Sequence, residues 1–232
     1  MNKLTSTLLL FFFAMTVSVQ QTAAHALWIH TDAQGQKGQS HAFTIYYADY
    51  HEGAVETIAD WYSDVREFDL YLVSPSGTKT QLDYEADKDF VKGSFVPEEE
   101  GIYRLEIGHS SKTEAGETLY QFNALAYVSI GSKTKQANFK KSPDLILVPG
   151  KSKGVYQVQL EGKPLPESEV SILGPDSVGQ TLSTDARGEF VADFSSKGTY
   201  YVEASTYKEY PQGHSSGLSG IWRCATQVIQ ID

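Results

Sequence analysis

Short runs of alternating apolar and polar residues, each closed by Gly, Pro, Asp or Ser, constrain this chain most. Such a period of two places successive side chains on opposite faces, as half-buried antiparallel strands require. In Ala42-Phe43-Thr44-Ile45-Tyr46-Tyr47 the alternation sets Phe43, Ile45 and Tyr47 on one face. Phe68-Asp69-Leu70-Tyr71-Leu72 alternates the same way and stops at the turn Ser74-Pro75-Ser76-Gly77. Residues 101–107 carry Tyr103, Leu105 and Ile107 inward, and residues 119–130 read as a longer strand. Further runs follow at 145–148, 155–160, 168–173, 188–194 and 199–205. Only residues 52–65 offer one or two helical turns, and they read equally well as an irregular loop. The chain is predicted to be all-β, built as antiparallel β-sandwiches.

The 232 residues suffice for two such domains. Gly131-Ser132-Lys133-Thr134-Lys135-Gln136 is polar, basic and aperiodic, and reads as the connection. The expected organisation is a leader over 1–24, an N-terminal sandwich over 25–135 and a C-terminal one over 136–232. The leader reading rests on Lys3, the apolar run from Leu8 to Val17 and the small residues Thr22-Ala23-Ala24. It implies a periplasmic or otherwise exported protein. No later stretch reaches the roughly 18 apolar residues of a membrane helix, so none is expected in the mature chain. Cleavage after Ala24 makes His25 the N-terminus; cleavage after Ala26 discards it.

Composition narrows the partners. The 19 Lys and Arg face 29 Asp and Glu, for a formal charge of −10, which leaves no basic footprint for nucleic acid. The single cysteine, Cys224, cannot close an internal disulfide or build a Cys-rich metal site. Ser215-Ser216 beside His214 lacks the acid and oxyanion framework of a triad, and no carboxylate pair has hydrolase spacing. The chain is therefore expected not to be an enzyme.

Gly162-Lys163-Pro164-Leu165, Val170-Ser171-Ile172, Thr184-Asp185-Ala186-Arg187-Gly188-Glu189-Phe190 and Gly198-Thr199-Tyr200-Tyr201-Val202 resemble the carboxypeptidase-regulatory or transthyretin-like module. In that pattern Gly188 takes a positive φ in a tight turn, and Tyr200 and Val202 share a face. The mature chain as a whole resembles periplasmic accessory proteins of nickel and cobalt energy-coupling-factor uptake systems. The residues that carry this are Ala24-His25-Ala26-Leu27-Trp28, Tyr50-His51-Glu52, the regulatory-like module and Arg223-Cys224-Ala225-Thr226-Gln227-Val228. Relatives often follow the early histidine with a proline-containing turn, where this chain has Glu52-Gly53-Ala54. The resemblance implies a periplasmic metal-binding accessory protein that meets a membrane metal transporter component.

Six histidines are present, and none forms a local zinc motif. Four occupy positions from which loops present side chains: His25 as a chelating N-terminus, His51 at a strand end, His109 after Gly108, and His214 in a glycine-rich connection. These four are the expected metal ligands. Imidazoles suit nickel, cobalt, copper and zinc alike, and the resemblance implies nickel or cobalt among them. His30 lies on the face of Trp28, opposite Ile29, and His41 is expected to be solvated. Two competing readings remain: an adhesion or scaffold protein without metal, with exposed aromatics on one sheet, and a copper redox enzyme using an N-terminal histidine.

Overall fold

Residues 25–114, 116–131, 143–152 and 154–231 are described by a computed structural model. The expected leader, residues 1–24, and all of the expected connection except Gly131 lie outside them. In chain order the first strands are β1 (Ala26–Thr31), β2 (Gln34–Gly35), β3 (His41–Asp49), β4 (Ala54–Val55), β5 (Leu70–Val73), β6 (Lys79–Leu82), β7 (Glu85–Ala86), β8 (Val91–Phe95), β9 (Gly101–Ser110) and β10 (Thr118–Ile130). Then come β11 (Leu145–Pro149), β12 (Val155–Leu160), β13 (Lys163–Pro164), β14 (Glu169–Leu173), β15 (Gly179–Ser183), β16 (Glu189–Val191), β17 (Gly198–Glu209) and β18 (Gly220–Ile231). The ambiguous stretch after Glu52 resolves into two 3₁₀ turns, Ile58–Asp60 and Val65–Glu67. The all-β expectation holds. No helix of the described residues is long and apolar enough to cross a membrane.

Three sheets form. One has the order β1-β3-β8-β7, with β4 also on β3; another has β11-β12-β13, with β16 on β12. Between them runs a long sheet, β15-β14-β17-β18-β10-β9-β5-β6, with β2 added to β10. Most neighbours are antiparallel, because short turns can join them. The pair β10–β18 departs from the antiparallel expectation. It is parallel from Thr118↔Gly220 to Leu125↔Gln227, since the whole second half of the chain intervenes.

That parallel pair makes one sheet out of strands from both halves. Residues from beyond position 135, Cys224 among them, also enter the first core. The first core holds Phe43, Ile45, Phe68, Leu105, Ile107, Phe122 and Cys224; the second holds Leu145, Val158, Val170, Phe190, Val202 and Ala225. Cys224 and Ala225 are adjacent, and adjacent strand residues face opposite ways. Strand β18 is therefore packed on both faces, one core on each. Full burial of each large apolar side chain stabilises by about 1.5–3 kcal/mol.

Several local expectations hold in detail. Phe43, Ile45 and Tyr47 are buried together, as are Tyr103, Leu105 and Ile107. Gly188 has φ +69, and a Cβ there would meet Leu165 N at 2.8 Å and Val158 O at 2.9 Å. The Asp185 carboxylate accepts the Arg187 and Glu189 amides at 2.8 Å each, which closes this turn. Strand β9 is less simple than its alternation suggests. Arg104 and Glu106, on its other face, are also buried and form an ion pair.

Candidate functional site

The geometry begins at the entry to β1. Pairing of Ala26 with Ala48 and Leu27 with Tyr47 fixes this strand against β3. The Trp28 indole donates to Ala48 O at 3.0 Å, and the Thr226 hydroxyl donates to Leu27 O. Residues 26–29 are all buried, because sheet material covers both faces. His25 sits just before this anchor, with its ring 5.4 Å from that of Tyr47.

Strand β4 then folds back on β3, and the Glu56 amide donates to Tyr47 O at 3.1 Å. The turn delivers the Glu56 carboxylate to His25, with Oε1 3.0 Å from Nε2. Both side chains remain partly open, at 28% and 35% exposure, although His25 Nε2 itself is buried and its approach to Glu56 lacks hydrogen-bond geometry. They line a cleft of about 470 Å³ with Asp60, Tyr47, Tyr62 and Tyr120. Burial, followed by the Tyr120 phenol and the Glu117 and Asp64 carboxylates, raises the Tyr62 phenol above its ordinary value. Tyr62 therefore stays a neutral hydroxyl at physiological pH. The cleft offers one imidazole nitrogen and carboxylate oxygen, a mixed donor set that suits borderline transition-metal ions.

The other expected ligands go elsewhere, and the expected four-histidine centre is not assembled. Among the described residues no three His, Cys, Asp or Glu side chains cluster as a metal group. His51 is exposed and meets Ser171 Oγ at 2.7 Å, because its turn reaches across to β14. His109 Nε2 lies 3.3 Å from Asp64 Oδ1, and that carboxylate also accepts the Lys112 amide at 2.8 Å. His214 stacks on Tyr210 at 4.1 Å, with Nδ1 2.7 Å from Ser216 Oγ. Its loop folds on itself through Pro211, so the ring stays local. Ends of strands share poles in a sandwich, but each of these histidines meets a different partner, and only His214 finds it within its own loop.

His30 and His41 are structural. His30 Nε2 is 2.8 Å from the Tyr50 hydroxyl, amid the rings of Tyr46, Tyr50 and Tyr201. Burial lowers its value to about 4, which makes it neutral. His41 is buried, contrary to the solvated expectation. Its Nε2 is 2.9 Å from Thr31 Oγ1 and 3.1 Å from Asp32 O, and its ring packs on Phe95. The register His41↔Phe95 on β8 covers it, and a pairing so remote in sequence leaves no local signal.

Sequence reasoning passed over Glu56, which lies in the stretch read as helix or loop with no motif around it. It also passed over Glu203. Tyr200 and Val202 point into the second core, so alternation sends Glu203 to the other face of β17. That face is covered by the end of β3. Burial, then the nearby Asp49 and Glu169 carboxylates, push Glu203 up to about 8. Exposed large apolar side chains among the described residues include Val55, Tyr62, Val96, Val178, Val191 and Tyr207. They fall on separate elements.

No protein-family model matches the chain, and no curated protein matches it. Among solved structures, Salmonella alpha-2-macroglobulin reacted with methylamine is similar over 90% of this chain, at 10% identity and a TM-score of 0.28. The chain spans 15% of that protein's length.

Proposed function

We propose that the exported chain, beginning at His25 after leader removal, binds a divalent transition-metal ion as cargo for a membrane uptake system. The observation that carries this reading is the His25 imidazole and Glu56 carboxylate, 3.0 Å apart in an open cleft. A chain starting at His25 adds its α-amine to the same residue's imidazole, and Glu56 supplies an anionic oxygen opposite. Asp60 lines the same cleft and adds negative charge near the mouth. Nitrogen donors with one or two carboxylates favour nickel or cobalt over calcium or magnesium, and accept copper and zinc as well. His51, His109 and His214 take no part in this site. The resemblance to nickel and cobalt accessory proteins gives the transporter role, and the cleft gives the chemistry.

The test is calorimetric titration of Ni²⁺ into the protein starting at His25. Binding weaker than about 100 μM, or roughly 5.5 kcal/mol, overturns the reading. Placing one alanine before His25 keeps the imidazole but turns the α-amine into an amide. That extension is expected to weaken binding at least tenfold, and unchanged affinity would remove the N-terminal chelate.

A further inference from the structure

The second opening in the molecule lies at the other end of β1, where two strands of the long sheet part. Strands β10 and β18 run side by side as far as Leu125↔Gln227 and then diverge. Beyond this fork β18 keeps only β17, through Tyr201↔Val228 to Gly198↔Ile231. Strand β10 keeps β9, and β2 takes the place of β18 beside it at Ser129 and Ile130. The β18 edge at 228–231 has no strand partner on this side among the described residues, whereas Ala126 and Val128 across the fork are buried. An open strand edge presents a row of N–H and C=O groups ready to pair with an added chain.

A crevice of about 570 Å³ occupies the fork, within the roughly 300–1,000 Å³ of ligand clefts. Gln227 lines it at the point of divergence and is only 6% exposed. Its Oε1 accepts no hydrogen bond among the described residues. A buried acceptor without a donor is a place where a ligand N–H or O–H gains most. The Thr199 hydroxyl donates to Gln230 Oε1 at 2.7 Å, which orients the Gln230 amide nitrogen as a donor at the rim. Tyr127 and Tyr156 add apolar ring surface to the walls.

We propose that this fork is a strand-addition site for an extended, uncharged peptide segment of a partner protein. Open edges are commonly blocked by lysine, proline or a bulge. Here the edge reads Val228-Ile229-Gln230-Ile231, strongly β-forming and without a charge. Asp32 is the one carboxylate among the lining residues, so an anionic ligand finds no cation to meet it. Three or four extended residues cover about 10–13 Å, the length of the free β18 edge. In strand addition the main chain supplies affinity and alternate side chains supply selectivity. The segment's N–H groups would pair with β18 carbonyls, and one would reach Gln227 Oε1.

The experiment incubates the full chain with a mixture of random octapeptides, acetylated and amidated, and identifies retained peptides by mass spectrometry after gel filtration. Gln230→Lys, at an exposed position, places a charge on the edge; Gln227→Leu removes the buried acceptor, with its thermal midpoint recorded alongside. The expected result is at least tenfold enrichment of alternating apolar–polar sequences by the natural chain over Gln230→Lys. Binding should vanish when alternate amides of an enriched peptide are N-methylated. Amide exchange should slow at 228–231 on binding. Equal enrichment by the natural chain and Gln230→Lys overturns the proposal. So does undiminished binding of the N-methylated peptide, or saturable binding of maltohexaose with no peptide enriched.

Discussion

Two regions of this protein each hold a histidine and a glutamate, and they have opposite chemistry. In the cleft at the start of β1, His25 and Glu56 touch each other and solvent. In the seam between β1–β3 and β17, His30 and Glu203 are half-buried, and desolvation drives each toward its neutral form. Burial lowers His30 to about 4, and burial with the Asp49 and Glu169 charges raises Glu203 to about 8. A metal ion binds an unprotonated imidazole that it can reach, so the proposal rests on the pair that lines a cleft.

The largest expected effect breaks the seam from the alkaline side. Glu203 binds its proton more tightly in the folded chain than at its ordinary value of 4.5. Its contribution is complete below pH 4.5 and is lost as pH rises through about 8, at no more than about 1.4 kcal/mol per pH unit. Urea unfolding should show Glu203→Gln gaining on the natural chain between pH 4.5 and about 8 and keeping a constant offset above that; parallel curves throughout would place Glu203 in water instead.

His30 works in the opposite direction over a narrower window. Its folded value lies below the ordinary 6.5, so its contribution is complete above that pH and is lost as pH falls through about 4. The loss amounts to about 3 kcal/mol at most. The difference between the natural chain and His30→Gln should shrink on acidification, and a constant difference would count against a neutral, buried His30. Ni²⁺ affinity at neutral pH should be unaffected by His30→Gln.

For the cleft, the proposed metal binding sets the expectation. His25→Ala and Glu56→Gln are each expected to weaken Ni²⁺ binding at least tenfold, about 1.4 kcal/mol, with stability changed by less than about 0.5 kcal/mol. Loss of stability without loss of binding would make the pair a structural ion pair. The smallest effects belong to His51→Ala and His214→Ala. His51 is exposed and His214 half-exposed on its loop, so less than about 0.5 kcal/mol in stability and less than twofold in Ni²⁺ affinity are expected. A tenfold loss of affinity in either would reinstate a shared histidine centre.

Strands, turns and the glycine at 188 were legible because their causes are local: a period of two, and a turn whose Asp185 and Gly188 lie within a few residues. His25 could be singled out for the same reason, as the residue beside a cleavage pattern. Its partner could not. Glu56 reaches it only because β4 folds back on β3, and nothing in Glu52-Gly53-Ala54-Val55-Glu56 marks a carboxylate as the one that arrives. His41 went wrong by the same logic, since Phe95 covers it through a strand pairing more than fifty residues away.

The amino-acid sequence by itself determined that this chain makes strands, which faces of β3 and β9 enter the first core, and where the tight turns fall. Tertiary structure alone decided that β18 would lie parallel to β10 and be buried on both faces. It also decided that they part after Gln227, that His30 and Glu203 are neutral, and that His25 meets Glu56 and none of the other histidines. Alternation and turn chemistry act between neighbours in the chain. Burial, charge and strand pairing act between neighbours in space, and those are chosen only when the whole sheet closes.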